Sequence, residues 1–238
     1  MTTLREYFDA KYAVSSADQV GLTRVTRHPR DRYEAVVKLA WGGGDALLEV
    51  GAGSGSVLRT LRPRFRRCVG VELSHPRAEC LRELFRHDPM VEIHEGSIED
   101  GVPSETRFDA VIVNAVISQL VDPIDVLRML SDRLTPSGRL IVTTANLAKW
   151  TRRGKLVLGR FPSIGSRNEG LTTFEGLPTQ LYDEGHMHYF TFRSLTSILR
   201  ERCGLRSVEW SGYPGVAARM RPTLFSTDVC VSARRESA

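Results

Sequence analysis

The chain has 238 residues and an apolar share of 41%, enough for one large buried core and ordinary for a globular protein. No apolar run approaches the roughly 18 residues of a membrane helix, and the opening "MTTLREYFDAKY" lacks a signal peptide's apolar core; a cytoplasmic protein without a membrane span is expected. The net charge of +5 rests almost wholly on arginine, and the arginines are dispersed rather than interleaved with stacking aromatics, which makes a nucleic-acid partner unlikely on composition.

Residues 1–28 read as a short helix plus loop packed across the rest of the chain, with Tyr7, Phe8 and Tyr12. A helix is expected from Pro29 through "RDRYEAVVKLAW", ended by "GGGD". Strands and helices then alternate. "DALLEV" is a strand and "SGSVLRTLRPRF" a helix; "RCVGVELS" is a strand and "HPRAECLRELFRH" a helix with Ser74 as N-cap. "MVEIHEG" and "FDAVIVNAVI" are further strands. "DPIDVLRMLSDRL" is a helix capped by Asp122, and "GRLIVTTA" is a fifth strand after a turn "TPSG". Short, continuously apolar strands between helices indicate a mostly parallel sheet covered on both faces, an α/β doubly wound fold.

The alternation breaks at Asn146. Residues 146–190 are Gly-rich and weakly periodic, and a loop of that length is usually functional or disordered. "TFRSLTSILRERCG" is a helix between Thr191 as N-cap and Gly204 as C-cap, and two last strands can pair antiparallel at the sheet edge. The expected organisation is one domain. Residues 1–44 form a helical lid segment, 45–145 the ligand-binding core, 146–190 an insertion, and 191–238 a closing helix and strand pair. Cys68, Cys80, Cys203 and Cys230 are scattered, as expected of reduced thiols rather than a disulfide framework or metal site.

The chemistry concentrates in "ALLEVGAGSGSVLRTL", residues 46–61. Glycines after a strand and before a helix let the backbone approach a ligand at the carboxyl edge of the sheet. A dinucleotide site favours G-x-G-x-x-G, but the place of its third glycine is Ser56 here; Gly55 comes one residue early, and Glu49 stands just upstream. Glu72, at the end of the second strand, can accept hydrogen bonds from both ribose hydroxyls of a nucleoside.

With "CVGVELS", "IHEGSIED", "FDAVIVNAVISQLVDP" and "LTPSGRLIVTTAN" in order across residues 45–146, the chain resembles the class I S-adenosylmethionine-dependent methyltransferases. Its end, "HMHYFTFRSLTSILRERCGLRSVEW", is similar to a small-molecule subgroup near the ubiquinone-pathway O-methyltransferases and MetW-like proteins. The resemblance implies a Rossmann-like seven-stranded sheet with an antiparallel last strand, and S-adenosylmethionine as cofactor. It implies Glu49 near the methionine end, and Gly51, Ala52 and Gly53 under the cofactor by backbone. Glu72 would hold the ribose and Leu73 the adenine face, with Ser97 and Ile98 at the adenine edge. Asn114 would face the methionine portion or the substrate.

Two departures from the family stand out. Ser97 replaces a frequent aspartate. "ISQL" replaces leucine-glutamate-histidine after the fourth strand, so Ser118 and Gln119 remove a metal ligand and a base. The base is then sought at His186 and His188 in "DEGHMHYF", oriented by Asp183 or Glu184, with packing at the helix start as the structural alternative. Tyr12 and Arg27 are expected over the cofactor, Arg27 at its carboxylate. Trp150, Phe161, Phe174, Tyr182, Tyr189 and Phe190 are expected to wall the acceptor pocket. The function so read is methyl transfer to an oxygen or nitrogen of a small-molecule metabolite. The alternatives are a non-catalytic binding protein of this fold and, more remotely, an RNA methyltransferase or a nicotinamide oxidoreductase.

Overall fold

In chain order the strands are β1 (Gly44–Val50), β2 (Phe65–Glu72), β3 (Val91–Glu95), β4 (Phe108–Asn114), β5 (Leu134–Ala145), β6 (Ser207–Trp210) and β7 (Asp228–Arg234). They form one sheet in the order β3-β2-β1-β4-β5-β7-β6. Pairing is parallel from β3 to β5, and β7 runs antiparallel to both of its neighbours. The chain is thus a doubly wound α/β fold with an antiparallel closing strand, as expected. This computed structural model describes residues 4–14, 21–101, 107–165, 173–174, 177–178 and 182–235.

The helices are α1 (Leu4–Val14), α2 (Arg32–Ala40), α3 (Ser56–Leu61), α4 (His75–Phe85), α5 (Pro123–Asp132), α6 (Trp150–Val157), α7 (Phe192–Glu201), α8 (Gly215–Met220) and α9 (Pro222–Phe225). Alternate residues of one strand serve two cores. Leu48 and Val50 pack with Val126, Leu127 and Leu195 under α5 and α7. Leu47 packs with Val36, Leu58 and Leu81 under α2, α3 and α4. That is why Ala46, Leu47, Leu48 and Val50 are all apolar, with Glu49 the one acid at the strand's carboxyl end. Among the described residues no helix is long and apolar enough to cross a membrane.

Several boundaries differ from the sequence expectation, each for a local reason. Helix α2 starts at Arg32, because the Asp31 carboxylate accepts from Glu34 N and caps there; Pro29 lies outside. Helix α3 stops after six residues and a 3-10 turn, Arg62–Arg64, follows, since Pro63 lacks an N–H. "TPSG" is a bulge inside β5 rather than a turn before it: the register steps from Phe108–Leu134 to Ala110–Arg139. The insertion contains α6 and a small ribbon pairing Thr173–Phe174 with Leu177–Pro178, where a weakly periodic loop was expected. Asp122 caps α5 and Thr191 caps α7, as the sequence pattern implies.

Gly55 has a packing role. It has φ 77, and a Cβ there would stand 2.7 Å from Leu81 Cδ2 and 3.0 Å from Leu84 Cδ2. It lets the start of α3 rest on α4. Gly55→Ala should therefore cost about 2–4 kcal/mol, from left-handed backbone strain plus overpacking. Urea unfolding of the variant checks this, with a lower midpoint at unchanged slope as the expected result.

Candidate active site

The site lies at the carboxyl ends of β1, β2 and β4, where an open α/β sheet leaves backbone unpaired. Its floor is the turn after β1. Gly51 (φ 72) and Gly53 (φ 57) take left-handed backbone, and Gly51 N donates to Val71 O at 2.8 Å. The buried Glu72 carboxylate accepts from Gly53 N at 2.8 Å through one oxygen and from Ser74 N at 3.0 Å through the other. Each oxygen keeps a lone pair for a ligand hydroxyl. Ser74 occupies the N-cap position of α4, but its hydroxyl makes no cap bond; the first N–H of the helix, His75 N, donates instead to Asp9 Oδ1 of α1 at 2.8 Å.

Leu73, Gly96, Ser97 and Ile98 form one side of the cavity, and Asn114, Ala115 and Val116 the other. Ser97 Oγ accepts from Glu99 N at 3.2 Å and caps a short turn; its hydroxyl proton stays available to a ligand. Thr143 donates to Asn114 Oδ1 at 2.8 Å while accepting from Ala115 N at 3.1 Å. The Asn114 amide oxygen is thereby occupied, and its NH₂ is the group left for a ligand. Ala115 holds φ 59, a left-handed strain at the cavity wall.

Glu49 is the most perturbed acid of the site. It is 1% exposed, its Oε2 has no partner, and it lines the cavity. Burial first, and then the charge of Glu72, hold its carboxyl well above the usual carboxylate range. A cation placed beside it would relieve both effects.

The upper wall comes from two distant segments. Helix α1 supplies Phe8, Lys11 and Tyr12, and the 182–186 turn supplies Glu184 and His186. Lys11 Nζ meets Glu184 Oε2 at 3.4 Å and ties the two together. Tyr12 lies on the cavity with the Arg77 guanidinium stacked 3.3 Å from its ring centre. Arg27 does not reach the site; it is exposed on the surface, and Arg32 at the start of α2 lines the cavity instead. Arg32 Nε is buried without a partner. The aromatic wall is also reassigned. Trp150 is exposed, Phe190 is buried in the core, and Phe161 packs edge-on to Tyr189. Phe8, Tyr12 and Tyr33 line the cavity in their place, while the side chains of Phe174 and Tyr182 lie outside the described residues.

The two histidines part company. His186 lines the cavity, and its Nδ1 lies 2.6 Å from Asp183 O, a carbonyl that can only accept. Nδ1 therefore carries the proton and Nε2 is the free lone pair. His188 turns away, with Nε2 3.3 Å from Val121 O and its ring against Phe190. An extended segment would put residues two apart on one side, but His186 N closes the Asp183 turn while His188 N is held by Ser118 O, so the two rings are not brought together. Asp183 orients His186 through its main chain, not its carboxylate. That carboxylate is buried and accepts from Ser163 Oγ (2.5 Å), Gly165 N (3.0 Å) and Tyr189 OH (3.1 Å). Ser118 serves by backbone too: its carbonyl accepts from Met187 N and His188 N.

Residues 25–209 match a family described as a methyltransferase domain. The chain belongs to this methyltransferase family. Protein-L-isoaspartate O-methyltransferase of Brucella anthropi is 32% identical over 109 residues, 45% of this chain and 48% of that one. An rRNA methyltransferase of Streptomyces thermotolerans is 28% identical over 165 residues, 62% of this chain and 55% of that one. The chain thus spans about half the length of these curated relatives. The N-methyltransferase NodS from Bradyrhizobium japonicum WM9 superposes with a TM-score of 0.58 at 16% identity, covering 86% of this chain and 94% of that one.

The methyl donor of the family is S-adenosylmethionine, and the cavity of this methyltransferase fits its parts. Glu72 has spare lone pairs for ribose hydroxyls, Arg32 an orphan donor for a carboxylate, and the unpartnered Glu49 a charge for the ammonium and sulfonium. No local sequence pattern marks Arg32 or the α1 wall; they come to the cavity only through the way α1 and α2 cross the sheet edge.

Both carboxylates can be tested by substitution. Glu72→Ala should weaken S-adenosylhomocysteine binding by at least about tenfold, since hydrogen bonds to a charged group are worth roughly 1.5–3 kcal/mol each; calorimetric titration measures it. Glu49→Gln tests the buried acid. A raised folded pKa means the ligand-free protein holds this proton more tightly than the unfolded chain, so stability falls as pH rises above the unfolded value. The variant lacks that decline. Its melting temperature should gain on the wild type between about pH 5 and pH 8, while its cofactor affinity drops about tenfold.

Proposed function

We propose that this methyltransferase modifies an oxygen or nitrogen of a small-molecule acceptor, with His186 as general base. The observation that carries the reading is the placement of His186: its Nδ1 is bonded to Asp183 O, and the residue lines a cavity that Phe8, Tyr12 and Tyr33 also line. S-adenosylmethionine supplies a methyl group already activated on a sulfonium. The protein then has to align the acceptor, exclude water and remove a proton. Phe8, Tyr12, Gln119 and Leu120 line the same cavity as His186 and supply mixed apolar and polar surface for an acceptor. His186 Nε2 takes the hydroxyl or ammonium proton of that acceptor, and Asp183 O holds the imidazolium through Nδ1–H. His188, outside the cavity, has a packing role in this scheme.

Of the N-terminal segment and the insertion, α1 and the 182–186 turn act as the roof in this reading; residues 1–3, 15–20 and most of 166–181 lie outside the described residues. The Lys11–Glu184 pair supports this, since it joins one segment to the other above the Gly51 turn. A small-molecule acceptor is favoured over RNA by the aromatic residues Phe8, Tyr12 and Tyr33 that share the cavity with His186.

Incubation with S-adenosylmethionine and either a small-molecule extract, total RNA or protein tests the acceptor class, read as S-adenosylhomocysteine release. Release only with RNA or protein would refute the small-molecule reading. Once an acceptor is found, His186→Ala should lower turnover by about 10² to 10⁴ with cofactor affinity unchanged, whereas His188→Ala should lower it little. Equal losses in both variants would remove His186 from the role of base.

A further inference from the structure

Helix α6 is built the opposite way from a helix that packs on its own protein. None of its side chains is buried. Val157 is 86% exposed, Leu158 76%, Trp150 57% and Leu156 54%. Trp150, Arg153 and Val157 fall at i, i+3 and i+7, along one outward stripe. The inward contacts are polar: Lys149 Nζ donates to Thr227 Oγ1 at 3.2 Å, and Arg152 Nη1 to Asn146 O at 2.8 Å. The helix is thus moored at its root by basic side chains while its apolar side chains face outward. Scattered exposed apolar residues are ordinary, but four within nine residues are not.

Charge decides what fits this face. No acidic residue stands between Asp132 and Glu169, whereas residues 149–160 read "KWTRRGKLVLGR". A tryptophan and three aliphatic side chains amid lysine and arginine suit the boundary between lipid headgroups and acyl chains. Nucleic acid would engage the basic groups and leave Leu156, Val157 and Leu158 in water. Asn146 Nδ2 at the same root donates to Ser226 O at 3.0 Å just past α9, and α9 is preceded in the chain by α8. Helix α8 too leaves Val216 and Met220 exposed.

We propose that α6 and its closing turn to Arg160 dock on an anionic lipid surface, apolar side chains in the headgroup layer and arginines at the phosphates. The root of α6 is bonded to the segment that carries His186, Leu147 N donating to Phe190 O at 3.0 Å, four residues beyond that histidine. Docking therefore anchors the active-site side of the molecule. The inference stands apart from the identity of the methyl acceptor.

Flotation of the full chain with vesicles tests it directly. Vesicles of equal parts phosphatidylglycerol and phosphatidylcholine should carry the protein, phosphatidylcholine alone should not, and about 0.5 M salt should release it. The doubly substituted Val157→Asp, Leu158→Asp protein and Arg153→Glu should each lose about tenfold or more in partition. Their S-adenosylhomocysteine binding, measured by calorimetry, should match the wild type and so report an intact fold. Failure of the wild type to float with either vesicle, or equal flotation of the doubly substituted protein, overturns the proposal. So does binding of duplex RNA lost in Arg153→Glu without any flotation, which gives the face to nucleic acid. A dimer in sedimentation velocity that the Asp substitutions abolish, again without flotation, gives it to a second copy of the chain.

Discussion

The carboxylate of Glu72 bridges two turns. It accepts from Gly53 N on one side and Ser74 N on the other. Those N–H groups belong to the loops that leave β1 and β2, so one side chain sets the distance between the floor of the cavity and the start of α4. Gly53 can donate there only because its backbone is left-handed. The neighbouring Glu49 carboxyl is pushed up first by its own burial and then by the charge of Glu72. The ligand-free site is therefore electrostatically unfinished, and it is completed by a ligand that brings hydroxyls to one acid and positive charge to the other.

A second buried acid organises the roof. Asp183 sits in left-handed backbone, φ 47, followed by Glu184 at φ 59. Two consecutive non-glycine residues in that region are expensive. The donors converging on the Asp183 carboxylate offset the strain by holding the 163–165 segment and Tyr189 around it. What the strained turn achieves is orientation: its carbonyl faces His186 Nδ1, and Glu184 reaches Lys11 of α1. Strain, tautomer and closure are thus one arrangement. The same turn is held in part by "ISQL". Ser118 offers its carbonyl to the incoming backbone, and the titratable group arrives from the insertion.

The site is also asymmetric in its construction. The cofactor half is made of consecutive residues at strand ends, each within a few positions of a strand's last hydrogen bond. The opposite wall of the cavity is made of residues brought from α1, α2 and the insertion, far apart in sequence. This division fits a family in which one donor meets many acceptors.

Much of the cofactor half is legible in the amino-acid sequence. Parallel sheets bury both strand faces, so their strands read as short apolar runs, and a turn that must approach a ligand reads as glycine. Those are local constraints, and they place β1 to β5, the Gly51–Gly53 turn, and Glu72 and Asn114 at strand ends. The caps Asp122 and Thr191 are legible for the same reason, since a cap is satisfied within four residues. The start of α2, the β5 bulge and the helix in the insertion are not, because they depend on which neighbour completes the hydrogen bonds. Arg27 and Arg32 look alike in sequence; the start of α2 at Asp31 decides that only Arg32 reaches the cavity. His186 and His188 look like a pair; the Asp183 turn and the Ser118 carbonyl send one inward and the other out. Fold, methyl donor and the strand-end residues of the cofactor half can be read along the chain, because they rest on backbone geometry at strand ends. The acceptor wall and the histidine that faces it emerge only when the chain is folded, because contacts between distant segments are set by packing and leave no periodic trace in the sequence.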